Sequence, residues 1–223
     1  MLLAIRFRVE GSLRFLSHAE TLKVFQRACV RADIRVRYSE GFNPRPKLSL
    51  PLPRSVGVES DNELLCVRLE RDPPAGGAPG ETEANRESRI KDVLEAQLPE
   101  GCELLSISQA RVGASFQPRS ATYVLPVQPE YFNDELRATV ERVLASECLP
   151  LRRPIDKNGL KFKNVDVRGF LKSIKPADGR IIAECEIRPD GSVRVDELLK
   201  LLGLDETMLT SPIRRTNVQW QSN

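Results

Sequence analysis

Apolar and polar residues alternate at the start of the chain, and the spacing then becomes helical. From Leu3 to Val9 every second residue is apolar, and two of the residues between them are arginines. This alternation predicts a half-buried β-strand over Leu2–Val9. Ser17, followed three residues later by a glutamate, is typical of a helix N-terminus. Apolar residues then recur at helical spacing, so we predict a helix that begins after Ser17.

The same patterns predict the rest of the secondary structure. The predicted strands are Ile34–Tyr38, Leu48–Leu52, Asn62–Glu70, Cys102–Ser108, Ala121–Val127, Leu151–Pro154, Val165–Pro176, Arg180–Arg188 and Ile213–Trp220. The predicted helices are Arg86–Leu98, Pro129–Ser146 and Val193–Leu202, with a hairpin turn at 177–179. A stretch rich in Pro, Gly and acidic residues at 72–84 lacks core-forming side chains and predicts a flexible loop.

This order of strands and helices predicts the fold class. The order βαββαβ occurs twice, with an extra hairpin strand in the first half. We therefore predict an α+β fold of tandem ferredoxin-like subdomains over 1–112 and 119–223, either separate or sharing one fused antiparallel sheet. A length of 223 residues with 40% hydrophobic residues is sufficient for packed cores of this size.

The charged residues are segregated along the chain, although the net charge is only +3. Residues 1–60 contain eleven basic and five acidic residues, 61–110 contain eleven acidic and five basic residues, and 151–180 contain nine basic and three acidic residues. Two basic segments separated by an acidic one suggest a surface that binds a polyanion. The alternative is that these charges are merely solvated.

A basic stripe is predicted on the first helix. Lys23, Arg27 and Arg31 follow one another at intervals of four residues, so their side chains lie on one helical face. We expect this face to contact phosphate groups. A second basic element near the C-terminus is Arg214–Arg215; because adjacent strand residues point to opposite sides, only one of them, taken as Arg215, can join a shared face.

The segment YSEGFNPRPK, residues 38–47, is the densest unusual sequence. Prolines flank Arg45 and restrict the backbone, which lowers the entropic cost of holding Arg45 and Lys47 against a phosphate or carboxylate. Tyr38 and Phe42 can provide stacking surfaces for nucleic-acid bases. The alternative is a loop shaped only for turning, with both aromatic rings in the core.

Two further candidates have open interpretations. His18 directly follows the predicted N-cap, where it can be a general base, a ligand contact or a structural residue, and spacing identifies no carboxylate partner. Glu59 and Asp61 can bind a cation or orient Arg45. The segment Lys161–Lys163 is basic but can equally be ordinary solvated strand surface.

The cysteines and the missing motifs exclude several classes of protein. Five cysteines are tens of residues apart, and with a single histidine they form no zinc motif, so we expect buried thiols in a reducing compartment. The CxxxCxxC spacing of a radical-SAM iron–sulfur cluster is absent, as are common nucleotide and hydrolase signatures. From these missing motifs we expect no metal and no cofactor. No apolar run is long enough for a membrane span and no secretory signal is recognisable, so we expect a cytoplasmic protein.

Several of these motifs together resemble a known family. Arg14–His18, then a helix, Tyr38–Lys47 and Gly57–Ser60 resemble the radical-SAM-linked protein family, a bacterial domain of unknown function. The segments Asp166–Arg168 and Arg215–Thr216 look like its closing motifs. Members of the family typically neighbour, or are fused to, a radical-SAM protein with a cobalamin-binding-like region. Nearby genes often encode a ribonuclease and ribosomal proteins. The resemblance therefore implies a radical-SAM partner and points toward RNA.

Three hypotheses follow for function. The leading one is a non-catalytic module that presents ribosomal or transfer RNA to a radical-SAM modification enzyme, without DNA specificity. The second is a protein–protein adaptor for that enzyme with no RNA contact. The third is a metal-independent endoribonuclease in which His18 is the general base and Tyr38 and Lys47 assist attack by a 2′-hydroxyl group.

Overall fold

The computed structural model describes residues 1–70, 82–111, 113–154 and 160–222, which form two compact units. Unit 1 contains Met1–Gln117 with Gln221–Asn223, and unit 2 contains Pro118–Trp220. The boundary after Gln117 lies in the gap between the two subdomains predicted from the sequence. Four α-helices and antiparallel β-strands are present among the described residues, which confirms the predicted mixture of α and β structure.

The described residues of unit 1 form a four-stranded antiparallel sheet with two α-helices. Its elements are β1 (Leu2–Val9), a 3₁₀ turn (Gly11–Phe15), α1 (His18–Arg31), β2 (Leu48–Ser49), β3 (Glu59–Arg68), α2 (Glu83–Glu95) and β4 (Cys102–Ala110). The strands lie in the order β2–β3–β1–β4, and each neighbouring pair is antiparallel. In β1, Ile5 pairs with Leu65 on one side and Ile107 on the other.

The core of unit 1 lies between α1, α2 and the sheet. Phe25 of α1 meets Phe7 of β1 edge to face, with the ring centroids 4.7 Å apart, and both rings are buried. Strand β1 was expected to be half-buried, but six of its eight residues are buried, Ala4 among them. Leu3, Ile5, Phe7 and Val9 lie in the core beside the helices as the alternation predicts, and Leu2 and Ala4 on the opposite face are buried as well.

Helix α2 also contacts the strand at the end of this order, β4. The Glu95 carboxylate accepts a hydrogen bond from the backbone N–H of Leu104 at 3.0 Å, and Glu87 accepts one from Gln109 at 2.6 Å. Two glutamates on the same side of α2 therefore satisfy backbone donors of β4, in addition to the buried apolar residues Ile90 and Leu94 of this helix.

Unit 2 has more strands. Its elements are β5 (Phe116–Pro126), which begins two residues before the unit boundary, α3 (Asp134–Ala145), β6 (Pro150–Pro154), β7 (Phe162–Asp166), β8 (Leu171–Ala177), β9 (Arg180–Arg188), β10 (Gly191–Ser192), α4 (Val195–Leu202) and β11 (Arg214–Ser222). Strands β8 and β10 both pair with β9, which neighbours β5, and β5 neighbours β11. Strands β6 and β7 form a separate two-stranded sheet, the β6–β7 hairpin.

Two arginines fix the parts of unit 2 that lie outside its main sheet. Arg153 of β6 makes a bidentate ion pair with Glu197 of α4, at 2.6 and 2.7 Å, and donates to the Ser192 carbonyl at 2.7 Å. Both side chains of the ion pair are buried. Arg168 donates to the carbonyls of Leu144 and Ser146, at 2.8 and 2.9 Å, and so caps the C-terminus of α3.

Several predicted boundaries are corrected. The segment 34–38 is not a strand, because it meets its neighbours only through isolated bridges, one of them between Val36 and Leu69. The strand predicted over Val165–Pro176 is interrupted by a 3₁₀ turn at Arg168–Phe170, and the helix predicted from Pro129 begins at Asp134. The flexible loop predicted at 72–84 lies mostly outside the described residues. From Glu83 the chain is helical, with Thr82 as N-cap.

Candidate RNA-binding surface

The basic stripe predicted on α1 lies on the exposed side of the helix. Lys23, Arg27 and Arg31 are exposed, whereas Phe25 and Cys29 are buried against the sheet. Successive basic residues of the stripe are about 6 Å apart along the helix axis. Ser17 caps the helix as predicted, because its side chain accepts from the Glu20 backbone N–H while the Glu20 carboxylate accepts from the Ser17 backbone.

The segment 38–47 forms a small hairpin beside this helix. The Ser39 N–H donates to the Arg45 carbonyl at 2.8 Å, and the Arg45 N–H donates to the Ser39 hydroxyl at 2.9 Å. Gly41, at the tip, has a φ of +120°, a conformation that side chains rarely adopt. The side chain of Phe42 next to it is fully exposed. The alternative in which this ring packs into the core is therefore wrong.

Tyr38 links the hairpin to the helix. Its side chain is 43% exposed, and it lines a cavity of about 370 Å³ with Pro46 of the hairpin and Gln26 and Val30 of α1. The hairpin and α1 thus adjoin within unit 1. We name the seven basic residues of the α1 stripe, the hairpin and the segment between them the basic surface; they are Lys23, Arg27, Arg31, Arg35, Arg37, Arg45 and Lys47.

The positive charge of the basic surface is largely unbalanced. Seven of the nine charged residues between Lys23 and Lys47 are basic. Arg37 lies 3.7 Å from the exposed carboxylate of Glu40. Within the described parts of the chain, no carboxylate lies within 4.0 Å of the other six. Six of the seven are exposed and Lys47 is half-buried, so their charges act on the solvent side.

A groove continues from the basic surface along the end of β3. One cavity of about 560 Å³ is lined by Arg37, Arg68 and Leu2, and a second of about 520 Å³ by Lys47, Arg68 and Leu2. Backbone hydrogen bonds hold the three cations together, since the Arg37 N–H donates to the Arg68 carbonyl and the Arg68 N–H to the Lys47 carbonyl. The sequence analysis did not single out Arg37 or Arg68, and only the net charge of residues 1–60 indicated Arg37.

Arg215 does not belong to this surface. Only 1% of the residue is exposed, so its guanidinium lies inside the protein. The expectation that it contacts a solvent-side anion is wrong, because the inward-facing arginine of the Arg214–Arg215 pair was taken as the outward-facing one. Arg214, its neighbour on β11, is half-buried.

His18 lies in a different part of unit 1. The Nδ1 atom of its half-buried imidazole is shielded from solvent and has no hydrogen-bond partner. It lines a cavity of about 10 Å³, about the space of one water molecule, with Arg54 and Glu63. Tyr38 and Lys47 line two other cavities. Of these cavities, none is lined by all three residues that the endoribonuclease hypothesis requires.

The turns next to His18 are held by one arginine. Arg54 donates to the carbonyls of Leu13 and Arg14, at 3.1 and 2.7 Å, and also to the carbonyl of Val58. These bonds join the two motifs Arg14–His18 and Gly57–Ser60, which are far apart in the sequence. No motif search would identify Arg54, because its role is to satisfy backbone carbonyls of a fold not yet known.

The acids of the second motif have local structural partners. Glu59 is buried and accepts a hydrogen bond from the Gly11 N–H at 3.0 Å. Asp61 lies 3.6 Å from Arg8. Neither partner is Arg45, so the interpretation in which this pair orients Arg45 is wrong. Among the described residues, no group of three or more His, Cys, Asp or Glu side chains is arranged to hold a metal ion.

The cysteines are free thiols, and burial suppresses their ionisation. Desolvation raises the pKa of Cys29, Cys102 and Cys185 to about 12 in each case. Cys148 is exposed, but its hydrogen bond to the Asp166 carboxylate raises the pKa of this thiol as well. None of these four thiols is therefore activated as a nucleophile.

Comparison with known proteins identifies the family of the chain. No protein with curated annotation matches it. In the described residues, no helix combines the length and apolar composition needed to cross a membrane. Residues 3–200 match the model of a family described as "Uncharacterized protein conserved in bacteria (DUF2344)". The predicted bacterial domain of unknown function is thus confirmed, whereas the radical-SAM association stays a prediction. Since the match covers most of the sequence, the chain belongs to this uncharacterized bacterial family.

Proposed function

We propose that this protein is a non-catalytic RNA-binding module that presents RNA to a radical-SAM enzyme. The observation that carries the proposal is the basic surface, in which, among the described residues, only Arg37 of the seven cations has a carboxylate within 4.0 Å. Unneutralised Lys and Arg side chains bind a phosphate backbone and release its counterions. The fully exposed Phe42 at the edge of this surface adds a ring on which a base can stack.

The strand orders of the two units support this proposal. We infer that both units have a ferredoxin-like arrangement. In unit 1 the strand order is β2–β3–β1–β4, and in unit 2 the corresponding strands β8, β9, β5 and β11 neighbour one another in the same sequence. Domains with a four-stranded sheet of this kind, alone or in tandem, commonly recognise single-stranded RNA. A fold alone does not determine function, so RNA is proposed as the ligand because of the charges of the basic surface.

A radical-SAM enzyme is proposed as the partner because of the family resemblance, and because this chain lacks the cysteines of such an enzyme. Proteins of that class need three closely spaced cysteines for their cluster, which this chain lacks. The role that remains for the chain is to bind a substrate or the enzyme itself. In the adaptor alternative the basic surface would instead meet an acidic surface of the enzyme, and the following experiment separates the two.

The test is a titration of a fluorescein-labelled, unstructured RNA of about 16 nucleotides with full-length protein, followed by anisotropy across a salt series. We expect Arg45→Ala/Lys47→Ala to weaken binding about tenfold or more. The slope of log K against log salt should fall by about 1.4, because two phosphate contacts to a single strand are lost.

The matched control likewise removes two cations, but from helix α3 of unit 2, outside the basic surface. Arg137→Ala/Arg142→Ala on α3 should leave both the affinity and the salt slope unchanged. Absence of wild-type binding at low salt, or an equal loss in both double variants, overturns the proposal. If the protein binds no RNA but is retained by its radical-SAM partner after ribonuclease treatment, the adaptor hypothesis is correct.

A further inference from the structure

The β6–β7 hairpin of unit 2 has an outer face with an unusual set of side chains. Its register pairs Arg152 with Asn164 and Pro154 with Phe162, so these four residues lie on the same side of the two strands. All four are exposed. Arg153 and Lys163 pair on the opposite side, where Arg153 is buried.

On the outer face an arginine lies over an aromatic ring in a cation–π contact. The guanidinium carbon of Arg152 lies 4.1 Å from the centroid of the Phe162 ring, which is 42% exposed. In the described parts of the chain, no carboxylate lies within 4.0 Å of Arg152, so its charge is not neutralised by an ion pair. The Asn164 amide beside this pair supplies both a hydrogen-bond donor and an acceptor.

The opposite side of the hairpin provides the rigidity that such a surface requires. An isolated two-stranded hairpin is marginally stable in water. Here the buried bidentate pair between Arg153 and Glu197 attaches the hairpin to α4, and the bond to the Ser192 carbonyl attaches it to β10. The side chains of the outer face are exposed, and the contacts on the opposite side hold the hairpin in one orientation.

We propose that the outer face of the β6–β7 hairpin is a stacking platform for an unpaired RNA base, a second RNA contact on unit 2. This inference rests on the proposed function. The base would lie against the Arg152–Phe162 pair, and Asn164 would bond to the edge of the base. Bases of single-stranded RNA stack on aromatic rings and on guanidinium planes, and the positive charge of Arg152 favours the adjoining phosphate.

The test uses full-length protein with an unstructured RNA and an RNA duplex of similar length, both fluorescein-labelled. We expect Phe162→Ala to weaken binding of the unstructured RNA about tenfold. Its salt slope and its affinity for the duplex should stay unchanged, because no cation is lost and paired bases cannot reach the platform. Phe162→Tyr, which keeps the ring, should restore the affinity.

Tyr131→Ala is the matched control, since Tyr131 is a comparably exposed ring on unit 2 at 39%. Equal effects of Tyr131→Ala and Phe162→Ala, or failure of Phe162→Tyr to restore binding, overturn the platform. If wild-type binding is normal and sensitive to Arg45→Ala/Lys47→Ala but not to Phe162→Ala, only the platform is wrong. Absence of any RNA binding by the wild type overturns both proposals.

Discussion

Removal of Arg153 should destabilise unit 2 far more than removal of an exposed ion-pair partner. Arg153→Ala deletes two short bonds to Glu197 and one to the Ser192 carbonyl, and it leaves a carboxylate whose side chain is only 9% exposed. The backbone N–H of Arg194 still bonds to that carboxylate at 2.9 Å. Breaking a buried pair on one side costs about 3–5 kcal/mol, and the remaining bond places the expected loss near the lower end of this range.

The assay is urea unfolding followed by circular dichroism and by the fluorescence of the single tryptophan, Trp220. Lys172→Ala is the control, because Lys172 pairs with Glu184 at a similar distance of 2.7 Å but is half exposed. We expect a loss of at most about 1 kcal/mol for this variant. A loss for Arg153→Ala no larger than that of the control would refute the reasoning. Arg153→Met/Glu197→Leu should be more stable than Arg153→Ala, since it leaves no unpaired buried charge.

The same pair makes a prediction about pH. Burial opposes ionisation of Glu197, but hydrogen bonds and charges from Arg153 and Arg194 outweigh it, and the pKa of this carboxyl lies below its usual value. A lowered folded-state pKa adds stability above the unfolded-state value, about 4.3 for glutamate, and this stability is lost as the pH falls through the folded-state pKa. As the pH falls below about 4, the wild type should therefore lose stability relative to Arg153→Met/Glu197→Leu, which lacks this carboxyl group.

Two further predictions concern a turn and the thiols. Gly101→Ala should cost about 1–3 kcal/mol or more, because φ is +85° and the new Cβ would lie 2.6 Å from a backbone oxygen. Gly113→Ala shares the positive φ but meets no atom within 4 Å, so equal losses in urea unfolding would exclude the clash as the cause. Alkylation of the native protein followed by mass spectrometry should modify Cys148 first, since it is exposed whereas Cys29 is buried with a pKa of about 12; rapid labelling of Cys29 would contradict this packing.

Local patterns in the sequence were sufficient for elements whose side chains repeat with one period. The capping box at Ser17 and the stripe at Lys23, Arg27 and Arg31 depend only on neighbours in the sequence, and both are present in the structure. Segment 34–38 alternates in the same way as a strand. It forms only isolated bridges, because strand formation depends on a partner elsewhere in the chain that the pattern does not identify.

The residues that sequence analysis misjudged or missed are mainly arginines. Arg54, Arg153 and Arg168 bind backbone carbonyls or a buried carboxylate, and Arg215 is buried. An arginine in a sequence indicates a cation but not its environment. Its long side chain can bind a phosphate group at the surface or a backbone carbonyl in the interior equally well. The choice depends on which helix ends and turns the fold brings near it.

The two glutamates of α2 that bond to β4 have a consequence for how copies of this protein behave at high concentration. A terminal strand normally offers a row of free N–H groups to any extended chain that approaches, which is a route to aggregation. Glu95 and Glu87 already occupy the N–H groups of Leu104 and Gln109, and their carboxylates repel the carbonyls of an incoming strand. Helix α2 thereby protects this margin of the sheet against intermolecular strand addition.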